Sequence, residues 1–229
     1  MAHASPALID VETALQDAGL TPRGAFHPEP TDGVPALPDG RPAGTLVLAG
    51  NVGPTMWAAF GKSRTEGPDA LDRWSAEVLR PIAERLGGAA HLPGGPPYLP
   101  FIRWARRAEP VQPSAIGLLI HPEHGLWHAY RGALALPDRL DLPPPDTRPR
   151  PCDTCADKPC LSTCPVGAFT TEGYDVPACV DYLETTPGND CASHGCAARR
   201  ACPVGRDHHY APEQAAFHMA AFVRANRTG

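Results

Sequence analysis

The sequence predicts an α+β domain over residues 1–145, followed by a small, cofactor-held domain over residues 146–229. Three observations carry this. All eight cysteines lie between Cys152 and Cys202, and none precedes them. Apolar residues in the first part recur at helical spacing in two places. Two apolar runs flanking a turn there read as an antiparallel strand pair. A domain as short as the second has little core of its own and needs staples.

The elements follow in order. Residues 7–18 read as a short amphipathic helix, with Gly19 as its C-cap. A Pro/Gly-rich stretch covers residues 21–44. Residues 45–49 form a short buried strand. After Gly50-Asn51-Val52-Gly53-Pro54, a helix carries Met56, Trp57 and Phe60. From 69 to 86, Leu71, Trp74, Val78, Leu79, Ile82 and Leu86 share a helical face, which Pro81 is expected to kink or divide. Residues 115–120 and 126–136 read as the two strands of a hairpin around His121-Pro122-Glu123-His124-Gly125. The proline-rich residues 137–151 read as a semi-rigid linker. A last helix over 212–225 puts Phe217, Ala220, Ala221 and Arg224 near one face, expected to pack back on the first domain.

Composition narrows the function classes. The net charge is −5, which speaks against a nucleic-acid partner. Arg103, Arg106 and Arg107 cluster, but they alternate with apolar residues as a solvated face would. No apolar stretch reaches a membrane span, and residues 1–10 carry no leader-like basic run, so a cytoplasmic chain with no membrane partner is expected. In that compartment closely spaced cysteines bind metal more often than they form disulfides.

The cysteine spacing is specific. The first group is Cys152-x2-Cys155-x4-Cys160-x3-Cys164-Pro165, and the second is Cys179, Cys191, Cys196 and Cys202-Pro203. Cys-Pro-Val-Gly occurs twice, at 164–167 and 202–205, as an internal repeat. This resembles the bacterial two-cluster ferredoxin, with two extra residues between the second and third cysteines. In that pattern the cysteine before proline ligates the other cluster. The resemblance therefore implies one 4Fe-4S cluster on Cys152, Cys155, Cys160 and Cys202. It implies a second on Cys164, Cys179, Cys191 and Cys196. Two four-cysteine zinc sites are the alternative, which leaves the paired Cys-Pro unexplained. His194, between two proposed ligands, is either an iron ligand or a loop histidine.

Two wider resemblances bear on function. The cysteine order around Cys179-Val180-Asp181-Tyr182-Leu183-Glu184-Thr185-Thr186 resembles epoxyqueuosine reductase. That family joins such a module to a cobalamin-binding domain of nitroreductase-like fold. The block His121-Pro122-Glu123-His124-Gly125-Leu126-Trp127 through Arg131-Gly132 resembles the cobalamin-processing family CblC. Ser114 stands where that family has a glutathione-binding arginine. Together these imply a nitroreductase/flavin-reductase-like first domain, with His121, Trp127 and Arg131 at a corrinoid site. Without the resemblance, the same three residues read as a structural hairpin.

The expected function is an iron-sulfur electron-transfer protein, a cobalamin reductase-like oxidoreductase. It would take electrons from an unidentified donor and reduce a small-molecule corrinoid, releasing its upper axial ligand. One alternative is a flavin-linked reductase on the same fold, with FMN or FAD among Trp57, Trp74, Trp104 and Trp127. Another is a plain ferredoxin-type electron carrier with a docking domain. Asp181, Glu184 and Glu123 are unranked candidates for a catalytic acid.

Overall fold

The computed structural model describes residues 6–64, 67–170 and 172–227. Residues 1–5, part of the stretch read for a leader, lie outside. The chain packs as two compact units. The first is Met1–Pro110 with Ala129–Thr147, and the second is Val111–His128 with Arg148–Gly229. This division differs from a cut at 145, because residues 111–128 pack with the cysteine segment.

In chain order, α1 (Leu8–Asp17) opens the first unit. Asp10 Oδ2 accepts from the Ala7 N–H at 2.8 Å and satisfies one free donor of the first turn. The helix ends with Gly19 N–H to Gln16 O and Leu20 N–H to Leu15 O, both 2.9 Å. Next come β1 (Thr21–Phe26), β2 (Thr45–Val52), α2 (Trp57–Ser63), α3 (Ala70–Arg85), β3 (Ala89–His91) and α4 (Phe101–Ala108). Then β4 (Gln112–Pro113), β5 (Leu119–Ile120) and β6 (His128–Leu136) follow.

One sheet organises the first unit, in the order β1-β2-β6-β3. β1 runs antiparallel to β2, with a bulge between Pro22 and Ala25, and β3 runs antiparallel to β6. Every residue of β2 is buried. A strand covered on both faces reads as a continuous apolar run, which is why Leu46-Val47-Leu48-Ala49 was legible. The apolar faces of α2, α3 and α4 supply Phe60, Trp74, Leu79 and Trp104 to the core.

Three expectations are corrected here. α3 runs through Pro81 without a break, over 16 residues. The loss of one backbone bond there is offset by burial of Trp74, Leu79 and Ile82. The hairpin of 115–120 with 126–136 does not form. Instead β5 pairs with β4 and β6 joins the larger sheet, while the turn between them carries a His121–Gly125 bridge and His128 Nε2 meets Leu119 O at 3.1 Å. The arginines of α4 are not merely solvated. Arg107 pairs with Asp32 at 3.2 Å and Glu29 at 3.5 Å, and Trp104 Nε1 donates to Asp32 O at 2.9 Å.

The second unit continues with α5 (Pro159–Ser162), β7 (Phe169–Thr170), β8 (Gly173–Tyr174) and α6 (Val176–Leu183). It ends with α7 (Asn189–His194), α8 (Ala197–Arg200) and α9 (Pro212–Asn226). Asp175 caps α6 by accepting from the Ala178 N–H at 3.0 Å. α9 packs on α6 and α7 of its own unit, which corrects the expectation that it would return to the first domain.

Candidate metal centre

The eight cysteines are all free thiols, and the fold sorts them into two groups. Burial pushes the Cys160 thiol up, and the neighbouring charges of Cys202, Cys152 and Cys155 push it further. Cys202 is raised by burial and by Cys152 and Cys155, against the Val204 N–H that favours its thiolate. These four thiols are neighbours, although Cys202 is far along the chain from the other three.

The second group is built the same way. Burial raises Cys179, and Cys164 and Cys191 add to it. Burial raises Cys196, with Cys191 and Cys179 adding and the N–H groups of Arg199 and Ala198 opposing. Cys164 Sγ accepts from the Ala168 N–H at 3.4 Å. All four line one apolar cavity of about 270 Å³, with Ile116, Phe169 and Tyr174 among its other walls.

Ile116 also shares an apolar cluster with Cys202 of the first group. That cluster joins Ile116 with Ile120, Leu126 and Cys202, and Cys152, Cys160, Phe169 and Val204 pack against it. Ile116 and Phe169 thus stand at both this cluster and the cavity of the second group.

The chemistry of this donor set can be tested against a cofactor. Among the described residues, no three His, Cys, Asp or Glu side chains converge as they would on a single ion. Four thiolates on one zinc crowd a single centre. A cubane offers each thiolate its own iron, so its ligands stand farther apart around a central volume. An apolar cavity walled by four thiols, with backbone N–H groups aimed at sulfur, fits the second description.

His121 and Trp127 lie in this second unit, whereas Arg131 lies in the first. His121 is 4% exposed, and its Nδ1 accepts from the N–H groups of Glu123 at 3.1 Å and His124 at 3.2 Å, closing the turn. Trp127 is 1% exposed, with the Arg199 guanidinium 4.3 Å from its ring centre and His209 also 4.3 Å away. Arg131 pairs with Asp72 at 3.7 Å. Trp57 meets Phe60 at 5.5 Å, Phe60 meets Trp74 at 5.8 Å and Trp104 is buried in the same unit, whereas Trp127 is buried in the second. His194 is half exposed and pairs with Asp190 at 3.3 Å.

One group of residues escaped the sequence reading. Arg23 is fully buried and donates through Nε and Nη2 to Glu109 Oε2, at 3.2 and 2.8 Å. The Tyr130 hydroxyl donates to the same oxygen at 2.7 Å. Burial, then the Glu109 charge, pushes the Tyr130 phenol well above its ordinary value. Nothing local marks this triad, because its members come from β1, the end of α4 and β6.

Neither a protein-family model nor a curated protein matches this chain. Solved structures do. An epoxyqueuosine reductase from Bacillus subtilis aligns over 88% of this chain and 66% of its own, at 15% identity and a TM-score of 0.50. An epoxyqueuosine reductase with a tRNA-Tyr epoxyqueuosine-modified stem loop aligns over 91% and 68%, at 13% identity and a TM-score of 0.50. The fold is similar to that of epoxyqueuosine reductases. The chain spans about two thirds of the length of these structures.

The epoxyqueuosine reductase likeness thus extends over both units and not only the cysteine segment. It also corrects one expectation. Net charge was read as excluding nucleic acid, yet one structure of this fold is bound to a tRNA stem loop. A net charge of −5 averages the whole surface and is silent about any one face. No helix among the described residues is long and apolar enough to cross a membrane.

Proposed function

We propose that this chain is an iron-sulfur reductase that carries two 4Fe-4S clusters. The observation that supports it most is the sorting of thiols. Cys152, Cys155, Cys160 and Cys202 would hold one cluster, and Cys164, Cys179, Cys191 and Cys196 the other. The clusters, when bound, supply single-electron transfer at low potential. The chain's own residues do the rest. Ile116 and Phe169 wall the cavity of the second group and exclude water there. N–H groups of Ala168, Ala198, Arg199 and Val204 hold negative charge at sulfur.

Anaerobic purification with cluster reconstitution tests this. About eight irons per chain, matching acid-labile sulfide, and visible absorption bleached by dithionite are expected. Protein without iron or sulfide after reconstitution would overturn it.

A second reading concerns the substrate. Reduction of a modified nucleoside in RNA is favoured by the neighbour bound to a tRNA stem loop. The exposed Arg103 and Arg106 of α4 offer phosphate contacts. In this reading cobalamin is a bound cofactor and not the substrate. Gel-shift titration with a tRNA stem loop checks it, and no retardation at low salt sinks it. Hydroxocobalamin titration separates the remaining readings. A spectral shift keeps the corrinoid, and no shift with intact clusters leaves a plain electron carrier.

A further inference from the structure

We infer that Tyr98 and the outward face of α4 form a platform for unpaired RNA, with one base stacked on the Tyr98 ring and phosphates held by Arg103 and Arg106. The inference deepens the RNA reading above and rests on it. It names the residue that takes a base and commits the contact to a single strand.

Tyr98 is 81% exposed, and Ile102, in the first turn of α4, is 67% exposed. Both are large apolar side chains held in water, and they lie within four residues of each other. Pro96, Pro97 and Pro100 flank Tyr98 and restrict its backbone. The segment is also tied to the helix, by Phe101 N–H to Leu99 O at 2.9 Å and Trp104 N–H to Pro100 O at 3.1 Å. Ordering the ring on a ligand therefore costs little further entropy.

The helix supplies the charge. Phe101, Trp104 and Ala105 are buried, which turns Ile102, Arg103, Arg106 and Arg107 outward. Among these, Arg107 is answered by Glu29 and Asp32. Arg103 Nη1 donates to Thr31 O, which fixes that guanidinium at the surface. No acidic residue lies on α4, and Glu109 just beyond it is turned inward to Arg23. An exposed ring beside exposed guanidinium groups matches a strand that offers bases and phosphates in alternation. Bases inside a duplex stack on one another, so only an unpaired one can take the ring.

The test uses full-length, cluster-reconstituted protein, titrated with an RNA hairpin bearing an unpaired loop and with a blunt RNA duplex of the same length. Tyr98→Ala should weaken hairpin binding by about 5- to 150-fold and leave duplex binding and iron content unchanged. Tyr98→Phe, which keeps the ring, should bind as wild type does. Arg103→Ala and Arg106→Ala should each lower the salt dependence of hairpin binding by roughly 0.7 in log–log slope. Hairpin binding unchanged in Tyr98→Ala would overturn the inference while leaving the RNA reading intact. Equal loss on hairpin and duplex would overturn it too, since no base would then be read. A wild type that binds neither RNA would defeat the RNA reading itself, and would leave this face to a protein partner.

Discussion

Gly125 and Gly205 meet backbone to backbone. A Cβ on Gly125 would stand 2.0 Å from the Val204 carbonyl oxygen, and one on Gly205 would stand 2.3 Å from the His124 carbonyl oxygen. Both have positive φ, 58° and 73°. The turn at 121–125 therefore fits against the second Cys-Pro-Val-Gly turn, next to Cys202. Leu126 packs in the same apolar cluster as Cys202, and its carbonyl accepts two bonds from Arg199, at 3.0 and 2.6 Å.

This contact makes Gly125→Ala costly. The left-handed backbone alone disfavours alanine by roughly 1 kcal/mol, and the clash forces the two turns apart as well. A lower melting temperature and reduced iron retention are expected, and both are measurable on one reconstituted sample. Full stability in the variant would contradict the close approach.

Crossed ligation has a genetic signature. Cys160→Ser and Cys202→Ser should abolish the same cluster signal in EPR, and each should halve the iron content approximately. Cys164→Ser should abolish the other signal. If Cys160→Ser and Cys164→Ser removed the same signal, the thiols would be grouped by sequence and not by the fold.

The buried triad of the first unit is exposed to single substitutions. Glu109→Gln leaves the Arg23 charge, 1% exposed, without its carboxylate. Breaking such a pair costs about 3–5 kcal/mol. Tyr130→Phe removes one neutral donor to that carboxylate and costs about 1 kcal/mol. Urea denaturation should rank the two variants in this order.

The same triad sets an alkaline limit. The folded Tyr130 phenol lies above its ordinary value of 10.0, raised first by burial and then by Glu109. The unfolded chain therefore loses this proton first as pH rises. The stabilisation is complete below pH 10 and declines above it, by up to about 1.4 kcal/mol per pH unit. Tyr130→Phe should flatten the alkaline limb of a stability-against-pH curve.

His91 sets the opposite limit. Burial holds its ring below the ordinary value of 6.5, and its Nε2 is buried. The unfolded chain takes up the proton first as pH falls. Stability from the neutral ring is therefore present above pH 6.5 and lost progressively below it. His91→Gln should show a shallower acid decline, and an unchanged profile would exclude His91 as its source.

Legibility in the sequence followed locality. The helices α1, α3 and α9 and the strand β2 were readable, because their patterns repeat within a few residues. Strand β1 was not, since Thr21-Pro22-Arg23-Gly24 looks like loop and is held extended by pairing with residues 46–50 of β2. Helix α4 was hidden by its arginines, whose partners Glu29 and Asp32 lie far back along the chain.

The cysteine spacing alone pointed to metal chemistry, because ligand residues close in sequence must be close in space. Which unit the 121–128 segment serves was a different matter. Linear order assigned it to the first domain, and His121, Trp127 and Arg131 to one site. The Gly125 turn finds its complementary surface at Gly205, and β6 finds its own beside β2. Such choices depend on shape and pairing between distant segments, and no local pattern encodes them.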